Sequence, residues 1–110
     1  MEDCIFCKII KGEIPSDKVY EDPDIIVLND IIPKAKVHIL IIPKKHIESI
    51  KHVEESDKEI IGELFLTAKR IAKDKNLEGY KLLFNVGREG GQVIDHLHLH
   101  LLSPEWDKPM

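Results

Sequence analysis

Three of the six histidines fall within five consecutive positions, at His96, His98 and His100. On a strand this spacing sends the three imidazoles to one face and the intervening leucines to the other, where they would pack against a helix. The histidines would then face outward, with the outer two about 13 Å apart, too far to converge on one metal ion. A polar solvent-facing strand is the alternative, but histidine is too rare a residue for that reading to be favoured.

Neutral imidazole is a nucleophile, and its usual pKa of about 6.5 leaves much of it deprotonated at pH 7. Attack on phosphorus would split a phosphoryl or nucleotidyl transfer into two steps through a covalent intermediate. Such a site needs donors for the phosphate oxygens. The loop over residues 87–92 lies just before the histidines, and its three glycines permit close backbone approach to an anion. Alone, this loop is more typical of a hairpin connection, but its position favours phosphate binding.

Cys4 and Cys7 form a Cys-x-x-Cys pair, and the chain contains no further cysteine. A structural disulfide is not expected in a reducing compartment. A thioredoxin-type redox pair would need a βαβ unit after it, which the pattern does not indicate. Two interpretations stay open: two inert thiols, or a zinc site completed by two histidines, for which this cysteine spacing is standard.

Proline and glycine residues divide the chain into short segments that position these groups. The apolar patterns predict strands over residues 18–21, 25–30, 37–42, 80–86 and 96–102. They predict a short helix over residues 4–11 and a long one over residues 56–76, opened by a capping box of Ser56 and Glu59. Strands in succession with one long helix inserted predict an α+β fold with a largely antiparallel sheet.

Composition excludes several classes of function. A chain of 110 residues predicts a single domain spanning residues 1–110. Its 16 Lys and Arg against 20 Asp and Glu give a net charge of −4, which disfavours binding to nucleic acid polymers. Apolar runs end after about five residues, so no membrane span is expected, and acidic Glu2 and Asp3 are unlike a signal peptide. We expect a cytoplasmic protein that, at this size, gains stability from a dimer or a metal.

The chain resembles the histidine-triad superfamily, whose signature is His-x-His-x-His followed by two apolar residues, as in residues 96–102. Further segments resemble the Hint-like branch of purine nucleoside phosphoramidases, namely residues 4–10, 20–22, 29–31, 42–47 and 85–87. The resemblance implies a five-stranded antiparallel sheet with a short N-terminal helix and one long helix. It also implies a homodimer that pairs the long helices and extends the sheet across both chains.

The resemblance assigns roles to the three histidines. His98 matches the nucleophile that takes the nucleotidyl group, and His100 matches the residue that bonds the phosphate and helps the leaving group depart. His96 supports the nucleophile's side of the site. The same comparison implies a set of nucleotide-binding residues. They are Leu28, Asn29, Asp30 and Ile31 at the base and ribose, and Asn85, Gly91, Gln92 and Val93 around the phosphate.

One position departs from the family pattern: Val93 stands where many Hint-like proteins have a serine, so a hydroxyl near the phosphate is missing. For the cysteines, the resemblance favours zinc. Some bacterial members of the superfamily bind zinc with such a pair and two histidines, which align here with His46 and His96. A structural zinc held by Cys4, Cys7, His46 and His96 is therefore implied.

The expected activity is cleavage of purine nucleoside 5′-phosphoramidates through a nucleotidyl-His98 intermediate. Three alternatives remain at this stage. The chain could hydrolyse dinucleoside polyphosphates, or bind nucleotides with catalysis weakened by Val93. It could also be a metal-dependent hydrolase that uses the histidine row as ligands.

Overall fold

The structure is a computed structural model that describes residues 3–103. Its main elements are α1 (Ile5–Ile10), β1 (Lys18–Glu21), β2 (Ile25–Asn29), β3 (Val37–Pro43), α2 (Lys58–Asp74), β4 (Lys81–Leu83) and β5 (Leu99–Ser103). The strands form one antiparallel sheet in the order β1-β2-β3-β5-β4. The predicted fold, a five-stranded antiparallel sheet with a short and a long helix, is therefore confirmed. Within residues 3–103, no helix combines the length and apolar character that crossing a membrane requires.

The sheet buries a different set of side chains on each face because successive strand residues alternate. On one face α2 contributes Leu64, Ala68 and Ile71 to a core that also contains the leucines of the histidine segment. Those leucines are Leu97, Leu99 and Leu101, so their predicted packing against the long helix is confirmed. The other face carries a smaller cluster under α1. It consists of Phe6, Ile26, Leu28, Leu40 and Ile42.

The histidine segment differs from its prediction in two respects. The strand begins at Leu99, so His96 and His98 lie in the chain that leads into it. The expected outward-facing histidines are also wrong: His96 is fully buried and the exposed fraction of His98 is only 8%. The reason is α1, because its Phe6 ring packs edge-on against both imidazoles and excludes solvent from that face.

The long helix begins at Lys58, so the predicted capping box of Ser56 and Glu59 is wrong. A 3-10 turn, Glu55–Asp57, precedes the helix instead, and the Asp57 carboxylate accepts a hydrogen bond from the Glu54 amide at 2.9 Å. Asp57 is buried and also pairs with Lys45. The start of α2 is thereby tied to the segment that follows β3.

Candidate functional site

The three histidines of the triad join two different groups of side chains. His96 points to the two cysteines, whereas His98 and His100 face each other with ring centroids 4.8 Å apart. Their two-residue spacing places them on one side of the chain, but the elements packed around them separate their environments. The site therefore divides into a metal-type cluster at His96 and a reactive pair at His98 and His100.

His98 is held in one tautomer by the backbone. Its Nδ1 lies 2.7 Å from the carbonyl oxygen of His96, and because a carbonyl only accepts, Nδ1 must carry the proton. In the neutral ring, Nε2 then carries the lone pair. Burial lowers the pKa of His98 below its ordinary value, which favours the neutral form. The result is a buried, oriented imidazole with a nucleophilic Nε2.

A chain of hydrogen bonds that begins at a backbone amide determines which ring nitrogen of His100 carries the proton. The Lys34 N–H donates to Nδ1 of His38 at 3.1 Å, so the proton of neutral His38 resides on Nε2. That Nε2 lies 2.9 Å from Nδ1 of His100, to which it donates. Neutral His100 therefore carries its own proton on Nε2. Burial is the main reason that the pKa of His100 falls to about 4, which keeps the ring neutral near pH 7.

The Nε2 atom of His100 is buried and has no hydrogen-bond partner among residues 3–103. An unsatisfied buried N–H costs about 1–3 kcal/mol, so its retention indicates a place for an acceptor. An oxygen of a bound phosphate would satisfy this donor. His38 was not among the site residues predicted from the sequence. The signal that could have found it is strand register, since His38 and His100 are diagonal neighbours on β3 and β5.

Asp30 lies at the edge of the same pair. One of its carboxylate oxygens is 3.4 Å from Nε2 of His38, and the other accepts from the Ile32 amide at 2.9 Å. The negative charge of Asp30 opposes the effect of burial on His38, but burial is the larger cause and the pKa of His38 is lowered. Ile31 follows with 86% of its surface exposed, next to this carboxylate. An exposed apolar side chain beside a partly buried acid suits a ligand with both a flat ring and hydroxyl groups.

The remaining residues predicted at the base and ribose lie on different sides of β2. Leu28 is buried in the cluster that contains Phe6, on the face of the sheet that carries the histidines. Asn29 alternates to the other side, where its side-chain amide donates to Asp17 at 3.0 Å. The structure thus brings Leu28 and Asp30 to the histidine face and leaves the Asn29 side chain away from it.

Side-chain hydrogen bonds stabilise the glycine loop over residues 87–92. The Gln92 side chain is buried and makes three hydrogen bonds: its Nε2 donates to the carbonyls of Glu48 and Ile94, and its Oε1 accepts from the Gly87 amide. Asn85 donates to the Gly90 carbonyl at 2.9 Å. Both side chains therefore stabilise the conformation of the loop. Sequence reasoning had placed both beside the phosphate, where their roles stay a prediction.

The loop has one tight turn and one open end. Gly91 has φ of +88° and its amide donates within the turn, as does that of Gln92. The Val93 amide has no such partner among the described residues, and the Val93 side chain is 80% exposed. Of the three predicted amides, that of Val93 is consequently the one open to an anion.

Four donor atoms at the other end of the triad converge as a metal site requires. Sγ of Cys4, Sγ of Cys7, Nδ1 of His46 and Nδ1 of His96 all lie within 4.8 Å of one another. Three sulfur–nitrogen separations are 3.3, 3.4 and 3.7 Å, and the two nitrogens are 3.1 Å apart. A tetrahedral zinc ion with usual bond lengths would set these separations at about 3.5 and 3.3 Å. The spacing of the donors therefore fits a small four-coordinate ion.

The protonation state of His96 also fits a metal. Its Nε2 donates to the Pro43 carbonyl at 2.8 Å, which leaves a lone pair on Nδ1, inside the cluster. One lone pair cannot accept hydrogen bonds from three neighbours at once, whereas a cation would satisfy all four donors. Burial and the adjacent Cys4 thiol raise the pKa of Cys7 and so disfavour its thiolate. A bound cation would stabilise that thiolate.

A second group, Asp30, His38 and His100, also has its potential ligand atoms within 4.8 Å. Here the hydrogen bonding opposes a metal. Because the Lys34 amide donates to Nδ1 of His38, the facing Nε2 carries a proton and has no lone pair to offer. This geometry disfavours the alternative in which the histidine row binds a catalytic ion.

Comparison with known proteins identifies the family. The family model described as scavenger mRNA decapping enzyme C-term binding matches residues 3–110. Protein HitA of Neisseria gonorrhoeae is 43% identical over 104 residues, which cover 94% of this chain and 97% of that protein. The chain belongs to the histidine-triad (HIT) family. The predicted family is thereby confirmed.

Solved HIT structures share the whole fold. A HIT family hydrolase from Legionella pneumophila superposes with a TM-score of 0.92 at 45% identity and covers 96% of both chains. A histidine triad protein from Clostridium difficile gives a TM-score of 0.94 at 40% identity, covering 100% of this chain and 97% of that one. A histidine triad nucleotide-binding protein from Candida albicans gives 0.82 at 35% identity, covering 98% and 85%.

Proposed function

We propose that this HIT protein is a Hint-like hydrolase or nucleotidyl transferase that cleaves purine nucleoside 5′-phosphoramidates through a nucleotidyl-His98 intermediate. The observation that carries the proposal is the pairing of two imidazoles in opposite tautomers, one with a lone pair on Nε2 and the other with a proton there. His98 has a free Nε2 lone pair and His100 has an unpartnered Nε2–H, and the centroids of the two rings are 4.8 Å apart. A nucleophile beside an unsatisfied donor is the arrangement that attack on a phosphate needs.

In the first step, the Nε2 lone pair of His98 forms a bond to phosphorus while the phosphorus–nitrogen bond breaks. The His100 N–H and the Val93 amide stabilise the oxygens of the transferring group. A bound anion beside His38 and His100 favours uptake of one proton by that pair, since an opposite charge stabilises the imidazolium. That proton leaves with the amine, so the amine departs neutral.

In the second step, water attacks the phosphorus of the nucleotidyl-His98 adduct. Its oxygen bonds to phosphorus, the bond to Nε2 of His98 breaks, and the proton released by water returns to the histidine pair. The products are a nucleoside 5′-monophosphate and the free enzyme. An alcohol or amine in place of water would give transfer instead of hydrolysis by the same route.

Nucleotide recognition in this proposal rests on the β2 end of the site. The Asp30 carboxylate has acceptor capacity left after its hydrogen bond from the Ile32 amide and its 3.4 Å contact with His38, and it would accept from the ribose hydroxyls. The exposed Ile31 offers apolar contact to a flat base. The similarity to the histidine triad nucleotide-binding protein from Candida albicans supports a nucleotide as the ligand.

The proposed metal is a structural zinc bound by Cys4, Cys7, His46 and His96. When bound, it would supply cross-linking between α1, the segment after β3 and the start of the histidine segment, with no open position for substrate. His96 connects this cluster to the reaction, because its carbonyl orients the nucleophile. A metal there would act on catalysis only by positioning His98.

The proposed assembly is a homodimer. Three apolar or aromatic side chains on α2 and the following turn remain exposed although the helix packs on the sheet: Phe65, Leu66 and Tyr80. β4 stands at one end of the strand order, where a second copy could extend the sheet. Sedimentation velocity checks this, with a concentration-dependent dimer expected and a monomer at all concentrations contradicting it.

The experiment that tests the function compares two substrates. Adenosine 5′-phosphoramidate should be cleaved with a kcat/KM well above that for a diadenosine polyphosphate, and the reverse order would favour the sister activity. Rapid quenching should trap an adenylyl group on His98, identified by peptide mass spectrometry. The matched variant His98→Gln retains a polar side chain but no nucleophile. Turnover by this variant at the wild-type rate, or tight nucleotide binding without any adduct in wild type, would refute the proposal.

A further inference from the structure

Cys4 and Cys7 lie on one turn of chain, in a geometry suited to joining their sulfurs. Cys4 caps the start of α1, and the Cys7 amide donates to Sγ of Cys4 at 3.4 Å. Both sulfurs approach a single atom, Nδ1 of His96, at 3.3 and 3.7 Å. A disulfide needs a sulfur–sulfur separation of about 2.05 Å, and two sulfurs already within 4.8 Å can reach it by side-chain rotation and a small shift of the turn.

The cluster is open to small reagents on one side. Cys4 and His46 line a cavity of about 410 Å³, which is also lined by Asp3, Glu48 and Asp95. Both cysteines are only partly buried. Reactive thiols in proteins occupy such partly exposed positions, whereas structural thiols that are fully buried are inert. A compact disulfide reagent can therefore reach the sulfur of Cys4.

We propose that Cys4 and Cys7 form a site of reversible oxidation, at which a low-molecular-weight disulfide converts the thiolate pair into a disulfide and expels the metal. The inference rests on the proposed metal site. The Cys4 thiolate attacks one sulfur of the reagent and displaces a thiolate; the Cys7 thiolate then attacks Sγ of Cys4 and displaces the second. Two protein thiolates lose two electrons in total, the reagent disulfide gains them, and the divalent ion leaves with no net change in charge.

Oxidation at this pair reaches the nucleophile by two contacts. Phe6 lies between the two cysteines, and its ring packs edge-on against His98 at a centroid distance of 5.2 Å. Closing the disulfide reshapes the turn that carries this ring. Loss of the metal also frees His96, whose carbonyl holds Nδ1 of His98. The nucleophile loses support from both sides, so we expect at least a tenfold fall in kcat/KM.

The test uses the full-length protein and three readouts, all of which are independent of activity. Metal content is measured first on the reduced protein, with one zinc per chain expected. Cystamine, a compact cationic disulfide, is then added in excess, and zinc release is followed with a chromogenic chelator. Mass spectrometry should show loss of two hydrogen atoms per chain and a Cys4–Cys7 cross-link. Dithiothreitol with added zinc should restore the starting state.

The third readout is the ¹⁵N NMR signature of the His98 ring, which reports its tautomer and hydrogen bond directly. We expect this signal to shift on oxidation and return on reduction. The variant His98→Gln serves as control, because it should release zinc and form the disulfide as wild type does while remaining inactive. That result separates the oxidation site from the catalytic chemistry.

Each contrary result has a separate meaning. Reduced protein without a stoichiometric metal refutes the proposed metal site and this inference with it. Metal that stays bound, with no disulfide formed under excess oxidant, overturns the inference and leaves the proposed activity intact. Release of metal with an unchanged His98 signal overturns the coupling to the nucleophile. Failure to cleave phosphoramidates refutes only the proposed activity, since the metal, mass and NMR measurements still decide the oxidation.

Discussion

The hydrogen-bond chain that leads to His100 can be tested by two substitutions, each of which keeps one of the two hydrogen bonds made by the His38 side chain. The amide of glutamine reaches the position of imidazole Nε2, so His38→Gln keeps a donor to Nδ1 of His100. The amide of asparagine reaches the position of Nδ1, so His38→Asn keeps an acceptor for the Lys34 amide and loses that donor. The two variants are similar in polarity and differ in which hydrogen bond survives.

The structure sets the size of the expected difference. In His38→Asn, the 2.9 Å hydrogen bond to His100 is lost, and such bonds contribute about 0.5–1.5 kcal/mol, with a further cost of about 1–3 kcal/mol where a buried acceptor is left unpaired. His100 is then free to take the other tautomer and present a lone pair, not an N–H, to the phosphate. A loss of about 1.4–2.7 kcal/mol in the transition state lowers kcat/KM by about 10- to 100-fold. His38→Gln should remain within about threefold of wild type.

The assays are kcat/KM for adenosine 5′-phosphoramidate and the ¹⁵N NMR signature of the His100 ring. The ring signal is decisive because a purely structural role for His38 would leave the tautomer unchanged. We expect His38→Gln to keep the Nε2–H form and His38→Asn to show a mixture. Equal activity losses in both variants with an unchanged His100 tautomer would refute the proton assignment along Lys34, His38 and His100.

Three further predictions concern stability. Leu101→Ala should lower the free energy of unfolding by about 2–5 kcal/mol in urea titrations, because Leu101 is fully buried against α2; a loss under 1 kcal/mol would contradict that packing. Gln92→Glu should destabilise by about 2–4 kcal/mol and weaken nucleotide binding in calorimetry, since a carboxylate cannot donate to the Glu48 and Ile94 carbonyls; unchanged binding and stability would show that the loop needs no such brace. The pKa of His100 is about 4 in the folded chain against about 6.5 unfolded, so the unfolded chain binds the extra proton first and stability falls as pH drops from 6.5 to 4. Between pH 7 and 4.5 wild type should lose about 2 kcal/mol more than His100→Gln, and parallel pH profiles would contradict the assignment.

Local pattern was enough to predict the fold because strand alternation and helix periodicity follow from backbone geometry. The alternation of residues 96–101 correctly sent the leucines to α2 and the imidazoles to the other face. The same alternation disfavoured one metal shared by all three rings, and the structure divides these rings between two groups of side chains. The start of β5 was misplaced, because pairing with β3 and β4, not residue type, decides where the ladder begins.

Residue types and the resemblance to the HIT family identified which side chains carry chemistry, but only the tertiary structure decided what each one faces. Cys4 and His96 are 92 positions apart, and the packing of α1 on the sheet brings them together. His38 and His100 meet through the register of β3 and β5, 62 positions apart in the chain. No local pattern encodes such contacts, because they depend on how separate elements pack. The proton on each imidazole follows from those contacts: a carbonyl at Nδ1 prepares His98 as a nucleophile, and an amide relayed through His38 prepares His100 as a donor.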